Sequence, residues 1–186
     1  MVAPQACKSA AFFVYLHKTL FMDARRTAVI VTDGKKVLVC HAPNKKDKPN
    51  TWDLPKGHCK SDENFYDCGQ RELMEETGIV KEKLTGSVIS LSTNKPIPYN
   101  GDKMSLTCLL TDELPELDTL KCTSYFEWHG EQFPEVNEYS YVDIDKLDLY
   151  LYHSIVDQLL PTVKEIIVQA VKTVNAVGIS QYFKQD

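Results

Sequence analysis

No stretch of this 186-residue chain approaches the ~18 consecutive apolar residues that a membrane span requires. The apolar run from Ala10 to Leu16 is short, and His17 and Lys18 follow it without a small-residue cleavage site, so no signal peptide and no membrane partner are expected. Basic residues are outnumbered, with 21 Lys and Arg against 26 Asp and Glu, and the formal net charge is −5. That balance argues against a general nucleic-acid binder and leaves local nucleotide binding open. No helix pair suited to DNA is evident, and DNA is not an expected partner. The six cysteines (7, 40, 59, 68, 108 and 122) include no C-x-x-C pair. They are read as reduced thiols of a cytoplasmic protein, mostly small core residues. Cys40-His41 and His58-Cys59 match no usual zinc spacing. There is no internal repeat and no low-complexity segment.

What is present suits one domain, with 43% apolar residues available for a core. Thr27 to Thr32 and Lys36 to Cys40 are β-rich runs joined by Asp33-Gly34, a hairpin signal. A polar loop over 43–50 leads to the segment from Trp52 to His58, which reads as a short strand entering a tight turn. Strand-like stretches follow near 85–92, 104–110, 121–127 and 138–143. From His153 to about Val174 an apolar stripe recurs at helical spacing, with Pro161 interrupting or restarting the helix. Residues 1–25 read as an extension that packs on the body or on a second subunit, which leaves a homodimer open. The domain proper spans 26–175, and 176–186 is a tail.

The most informative segment runs from Gly57 to Ile79, GHCKSDENFYDCGQRELMEETGI. Asn64 is a good N-cap, with Asp67 three residues on, and Gly78 suits a left-handed C-terminal cap, so a helix is expected from Asn64 to Thr77. Glu72, Glu75 and Glu76 then stand at i, i+3 and i+4 on one face. Like charges at such spacings cost roughly 0.2–0.5 kcal/mol per pair. They also crowd the helix end whose dipole repels anions. Hard oxygen donors clustered in this way call for a divalent cation such as Mg2+ or Mn2+. The competing reading is a solvated acidic face with an Arg71–Glu75 ion pair, worth little if exposed. Gly69 in mid-helix costs about 1 kcal/mol relative to Ala, which points to close packing against a neighbouring element.

Gly57, Glu63, Arg71-Glu72-Leu73, Glu75-Glu76 and Gly78-Ile79 together resemble, position for position, the signature box of the Nudix hydrolases, G-x5-E-x7-R-E-(aliphatic)-x-E-E-x-G-(aliphatic). A chance match at average residue usage is below about one in 10^8 per register. The resemblance implies an α/β Nudix fold, a mixed β-sheet sandwiched between α-helices. It also implies a pyrophosphohydrolase acting on a nucleoside diphosphate linked to another group by substitution at phosphorus. Glu72, Glu75 and Glu76 would be metal ligands, joined by the backbone carbonyl of Lys56. Arg71 would orient a carboxylate through its planar fork, and Glu63 would support the metal shell or help position water. Leu73 and Ile79 read as core contacts, and His58 as a loop residue.

Outside the box the alternatives stay open. Gly57 lets backbone approach closely at the site. The Lys56 ammonium meets either a phosphate or solvent. An additional acid is sought in Glu135 or Glu138, and the general base is either one of these or a box glutamate. Tyr139 is a candidate substrate contact. With Phe126, Trp128, Phe133 and Tyr141 it either stacks on a base, at about 1–3 kcal/mol per contact, or packs the sheet. The run Trp52-Asp53-Leu54-Pro55-Lys56-Gly57-His58 looks like that of dinucleoside polyphosphate hydrolases, and Lys45, Lys46 and Lys48 would suit extra phosphates. A dinucleoside polyphosphate or related small-molecule nucleotide is therefore the favoured substrate. An RNA 5′ end or cap, a nucleotide sugar and an inositol pyrophosphate are the alternatives. A non-catalytic nucleotide sensor is the alternative class.

Overall fold

A computed structural model describes residues 25–43, 50–84 and 88–176. Residues 1–24 of the expected extension, the lysines at 45, 46 and 48, and the tail from 177 lie outside the described residues.

β1 (Arg25–Thr32) organises the molecule because it is apolar towards both sides. Ala28 and Ile30 join one core cluster, while Val29 and Val31 join another. A strand buried on both faces needs this continuous apolar run rather than alternation. β2 (Lys36–His41) returns antiparallel through a turn at Gly34, whose φ of +86° favours glycine. β7 (Asp102–Thr111) lies parallel to β1, in register from Arg25–Lys103 to Thr32–Leu110. β5 (Val88–Ser92) and β10 (Glu138–Asp143) complete the order β10-β2-β1-β7-β5. β6 (Ile97–Tyr99) pairs with the start of β7.

Helices cover both faces, as the resemblance implies. On one face lie α2 (Leu147–Tyr150), α3 (His153–Gln158) and α4 (Leu160–Ala176). Leu147, Leu151, Ile155, Leu159, Val163, Ile167 and Ala170 seal it against β1, β2 and β7. The expected break near Pro161 occurs at Leu159, and Pro161 sits in the first turn of α4, where a missing N–H costs nothing. On the other face lies α1 (Phe65–Thr77), whose Leu73 packs with Val29, Val31, Leu38 and Leu109. Gly69 is the point of closest approach. A Cβ there would lie 3.2 Å from Thr27 Oγ1 and 3.3 Å from Val29 Cγ2, which gives the mid-helix glycine its reason.

Several segments differ from the sequence reading, which held neither β6 nor α2. Lys56–His58, expected as a turn, is β4, antiparallel to β1; β3 (Trp52–Asp53) pairs instead with β2. The 52–58 segment thus pairs with β2 at one end and β1 at the other, and Val29 N–H donates to Pro55 O at 2.8 Å. The stretch expected as a strand over 121–127 narrows to β8 (Tyr125–Trp128). The stretch after it contains β9 (Glu131–Pro134), and the two form a separate hairpin. These short strands have little periodicity of their own and are selected by the partner strands beside them.

Candidate active site

The box helix begins and ends where its caps dictate. The Asn64 side chain accepts from Asp67 N–H at 2.9 Å, and Gly78, at φ +74°, donates its N–H to Met74 O at 2.8 Å. Beyond that cap the chain folds back onto the helix end. Lys121 N–H donates to Thr77 O, while Thr123 and Ser124 N–H groups both donate to Glu75 O. The Tyr139 hydroxyl donates to Glu76 O at 2.7 Å. Carbonyls left over at a helix end concentrate its negative potential. Satisfying them from outside makes a cluster of glutamates at that end more tolerable.

Arg71 gathers three of the carboxylates. Its Nε and Nη2 donate to the two oxygens of Glu63, each at 2.9 Å, the bidentate geometry expected of a guanidinium. Nη1 donates to Glu72 at 2.7 Å and to Glu75 at 2.9 Å, and Nη2 also donates to His58 O at 2.9 Å. The Arg71–Glu75 pair of the competing reading therefore exists as one strand of a larger network. The Arg71 hydrogen bonds pull the Glu63 carboxyl down to about 2. Burial instead raises Glu72, against the opposing pull of Arg71.

Glu76 stands apart from that network. Burial pushes its carboxyl up to about 8, against the attraction of Lys56. One of its oxygens accepts the Lys56 backbone N–H at 3.0 Å. The Lys56 ammonium lies 2.6 Å from Asp53 Oδ2, and Asp53 Oδ1 accepts Leu54 N–H at 2.8 Å. The Asp53 and Glu76 carboxylates raise the Lys56 ammonium, although burial, the largest single influence, works to lower it. Asp53, Lys56 and Glu76 line one wall of a cavity of about 160 Å3, with His41, Thr51 and Glu135 around them.

Gly57 has a direct geometric reason. A Cβ built on it would stand 2.1 Å from the Glu72 carboxyl, so that carboxylate rests on the bare Cα. This cradle, the hard-oxygen character of the donors and the poorly solvated Glu76 carboxylate fit a small divalent cation. Among the described residues no group of three His, Cys, Asp or Glu side chains is arranged to hold a metal ion, and Glu63, Glu72 and Glu75 are paired with Arg71.

Of the two additional acids, Glu135 lines the cavity with Glu76. Glu138 sits in β10 opposite His41 and is not among the lining residues. Tyr139 and Tyr141 are committed to main-chain carbonyls, of Glu76 and Pro115 respectively, which gives both a bracing role. Phe126 and Phe133 face one another across the hairpin at 5.8 Å between centroids, and Trp128 is 63% exposed. The residue that sequence reasoning missed is Asp53. Its position three residues before Lys56 was the available signal, but the strand break between them made the pairing unreadable. A larger groove of about 710 Å3 lies along α4, near Gly34 and Ile144, and contains none of the box carboxylates.

A helix-flanked mixed sheet with a glycine-cradled acidic helix places the chain among the box-bearing hydrolases. The family model for the NUDIX domain matches residues 22–163, and the chain belongs to that family. It is an enzyme that acts on pyrophosphate bonds, and members of the family generally use a divalent metal, usually Mg2+. Among solved structures, the chain is similar to an Ap4A hydrolase of C. elegans in a binary complex, at 18% identity over 82% of this chain and 98% of that one, with TM-score 0.49. It is also similar to the NUDIX domain of Shewanella oneidensis NrtR with ADP ribose, at 16% identity over 87% and 99%, TM-score 0.47. A third is MutT from Aliivibrio salmonicida and Vibrio cholerae, at 22% identity over 78% and 98%, TM-score 0.45. Likeness at this level carries no substrate from one protein to another. Among the described residues, no helix is long and apolar enough to cross a membrane.

Proposed function

We propose that the chain is a Mg2+- or Mn2+-dependent hydrolase that cleaves a pyrophosphate bond in a dinucleoside polyphosphate or a related polyphosphorylated nucleotide. The observation that carries the reading is the Glu72 carboxylate lying on the bare Cα of Gly57, beside the buried Glu76 and the Lys56 backbone. Glu72, Glu75 and Glu76 would hold the cation, with the Lys56 carbonyl. A bound divalent cation supplies neutralising charge for pyrophosphate oxygens and acidifies water at the site.

The chain's own residues do the rest. Arg71 fixes the rotamers of Glu72 and Glu75, and Glu63 fixes Arg71 by accepting from both sides of its fork. A site held on a helix by such support keeps its donors within the narrow tolerance that catalysis needs. Glu135, facing the same cavity as Glu76, is the better placed of the outer acids to take a proton from water. The Lys56 ammonium at the cavity wall suits a phosphate oxygen. Substrate choice rests on the Trp52-to-His58 run, which looks like that of dinucleoside polyphosphate hydrolases.

The test is a panel of dinucleoside polyphosphates, nucleotide sugars, capped RNA and inositol pyrophosphates with Mg2+, comparing wild type with Glu76→Gln. The expected result is metal-dependent turnover of a dinucleoside polyphosphate, with kcat reduced about 10^3-fold in the variant. Equal activity in both proteins would remove Glu76 from the mechanism. Tight nucleotide binding with no turnover in Mg2+ or Mn2+ would replace the enzyme reading of this site with that of a sensor.

A further inference from the structure

Asp53 belongs to no box position, yet its carboxylate lies 2.6 Å from the Lys56 ammonium. Pairing of β3 with β2 puts Asp53 opposite Cys40, and pairing of β4 with β1 puts Lys56 opposite Ala28. Leu54 and Pro55 alone connect the two strands, so the two side chains meet over the cavity that Glu76 enters. Glu76 is a desolvated carboxylate that accepts a hydrogen bond from the Lys56 backbone N–H, while the Lys56 ammonium lies on Asp53. A buried carboxylate and a long flexible ammonium sharing one small cavity form an ion pair unless a better partner intervenes.

We propose that Asp53 is a positioning residue that holds the Lys56 ammonium off Glu76, keeping that carboxylate open to a divalent cation and aiming the ammonium at the phosphates. Two partners compete for Glu76: the cation, and the Lys56 ammonium. Asp53 removes the second competitor by pairing with it. Its carboxylate is anchored by Leu54 N–H at 2.8 Å, so it holds the lysine from a fixed point. A glutamate further out on a loop would follow the lysine rather than restrain it. This role rests on the proposed metal site but predicts something that the site alone does not. Loss of Asp53 weakens metal binding only while Lys56 is present.

The measurement is Mn2+ binding to the full chain without nucleotide, read as free Mn2+ by electron paramagnetic resonance. The proteins are wild type, Asp53→Asn, Lys56→Met and the double variant, each checked for fold by thermal unfolding. Coupled neighbours typically interact strongly enough that Asp53→Asn is expected to raise the dissociation constant about tenfold. In the Lys56→Met background, which retains the backbone carbonyl, the same substitution is expected to change it by less than about twofold. High Mg2+ should also restore much of the lost turnover in Asp53→Asn, since competition is overcome by mass action. If Asp53→Asn does not fold, the comparison of Lys56→Met with the double variant still decides: a tenfold loss there overturns the proposal. Equal losses in both backgrounds would show that Asp53 acts on the cation directly, and would overturn it as well. Absence of Mn2+ binding in wild type would bring down the metal site itself, a failure distinct from that of Asp53.

Discussion

The two faces of one sheet have been put to opposite uses. Towards α3 and α4 the strands present Ala28, Ile30, Val37, Leu106 and Leu110, and the helices answer mainly with aliphatic side chains, with Ser154 hydrogen-bonded to Tyr99 at one edge. Towards α1 the same strands present Val29, Val31, Leu38 and Leu109, but the apolar contact is smaller and gives way to Glu63, Arg71, Glu72, Glu75 and Glu76. The apolar face supplies stability, since each fully buried aliphatic contributes about 1.5–3 kcal/mol. The polar face carries charge that is only partly offset, with Glu72 just 7% exposed. A site that holds desolvated carboxylates ready for a cation has to stand on a core that does not depend on them.

That division can be broken in three places, in descending order of effect. Ile155→Ala removes a fully buried side chain from the apolar face. It is expected to cost about 3 kcal/mol, lowering the unfolding midpoint by about 6–12 °C, while kcat at 20 °C stays within about twofold. A calorimetric scan beside a turnover assay checks it, and a large loss of kcat in the folded variant would show that the faces are coupled. Gly57→Ala should do the reverse. The new methyl group displaces the end of one side chain from its Arg71 hydrogen bond and leaves the backbone in place, so stability falls by only about 1–2 kcal/mol. Turnover should nonetheless fall about 100-fold, because the Glu72 carboxylate must leave its place. Tyr139→Phe has the smallest expected effect. Losing the hydroxyl that donates to Glu76 O should cost about 1 kcal/mol in urea unfolding, with a several-fold rise in the metal concentration needed for half-maximal turnover.

Legibility in the sequence followed the range of the interactions. The limits of α1 were readable because Asn64, Asp67 and Gly78 act within one turn of the residues that they cap. The close approach at Gly69 was readable as a cost without a local explanation, although its partners Thr27 and Val29 were not. β4 looks like a turn in the sequence because its pairing partners Arg26, Thr27 and Ala28 lie some 30 positions away. Tyr139 reads in the sequence either as a base-stacking platform or as sheet packing, and its role as a brace is not readable there, since only the fold brings Glu76 O to its hydroxyl.

Seven fixed residues at fixed spacing suffice for the class of chemistry, because they put three carboxylates on one helix face. They also determined that helices would flank a mixed sheet, through the resemblance that they carry. The tertiary structure decided how the carboxylates divide: Glu63, Glu72 and Glu75 on Arg71, and Glu76 across from Asp53 and Lys56. It also brought Glu135 to the cavity and left Glu138 in the β10 ladder. The reason is physical. Helix periodicity fixes which residues share a face, but the charge that each one meets there comes from strands and loops that only the folded chain brings alongside.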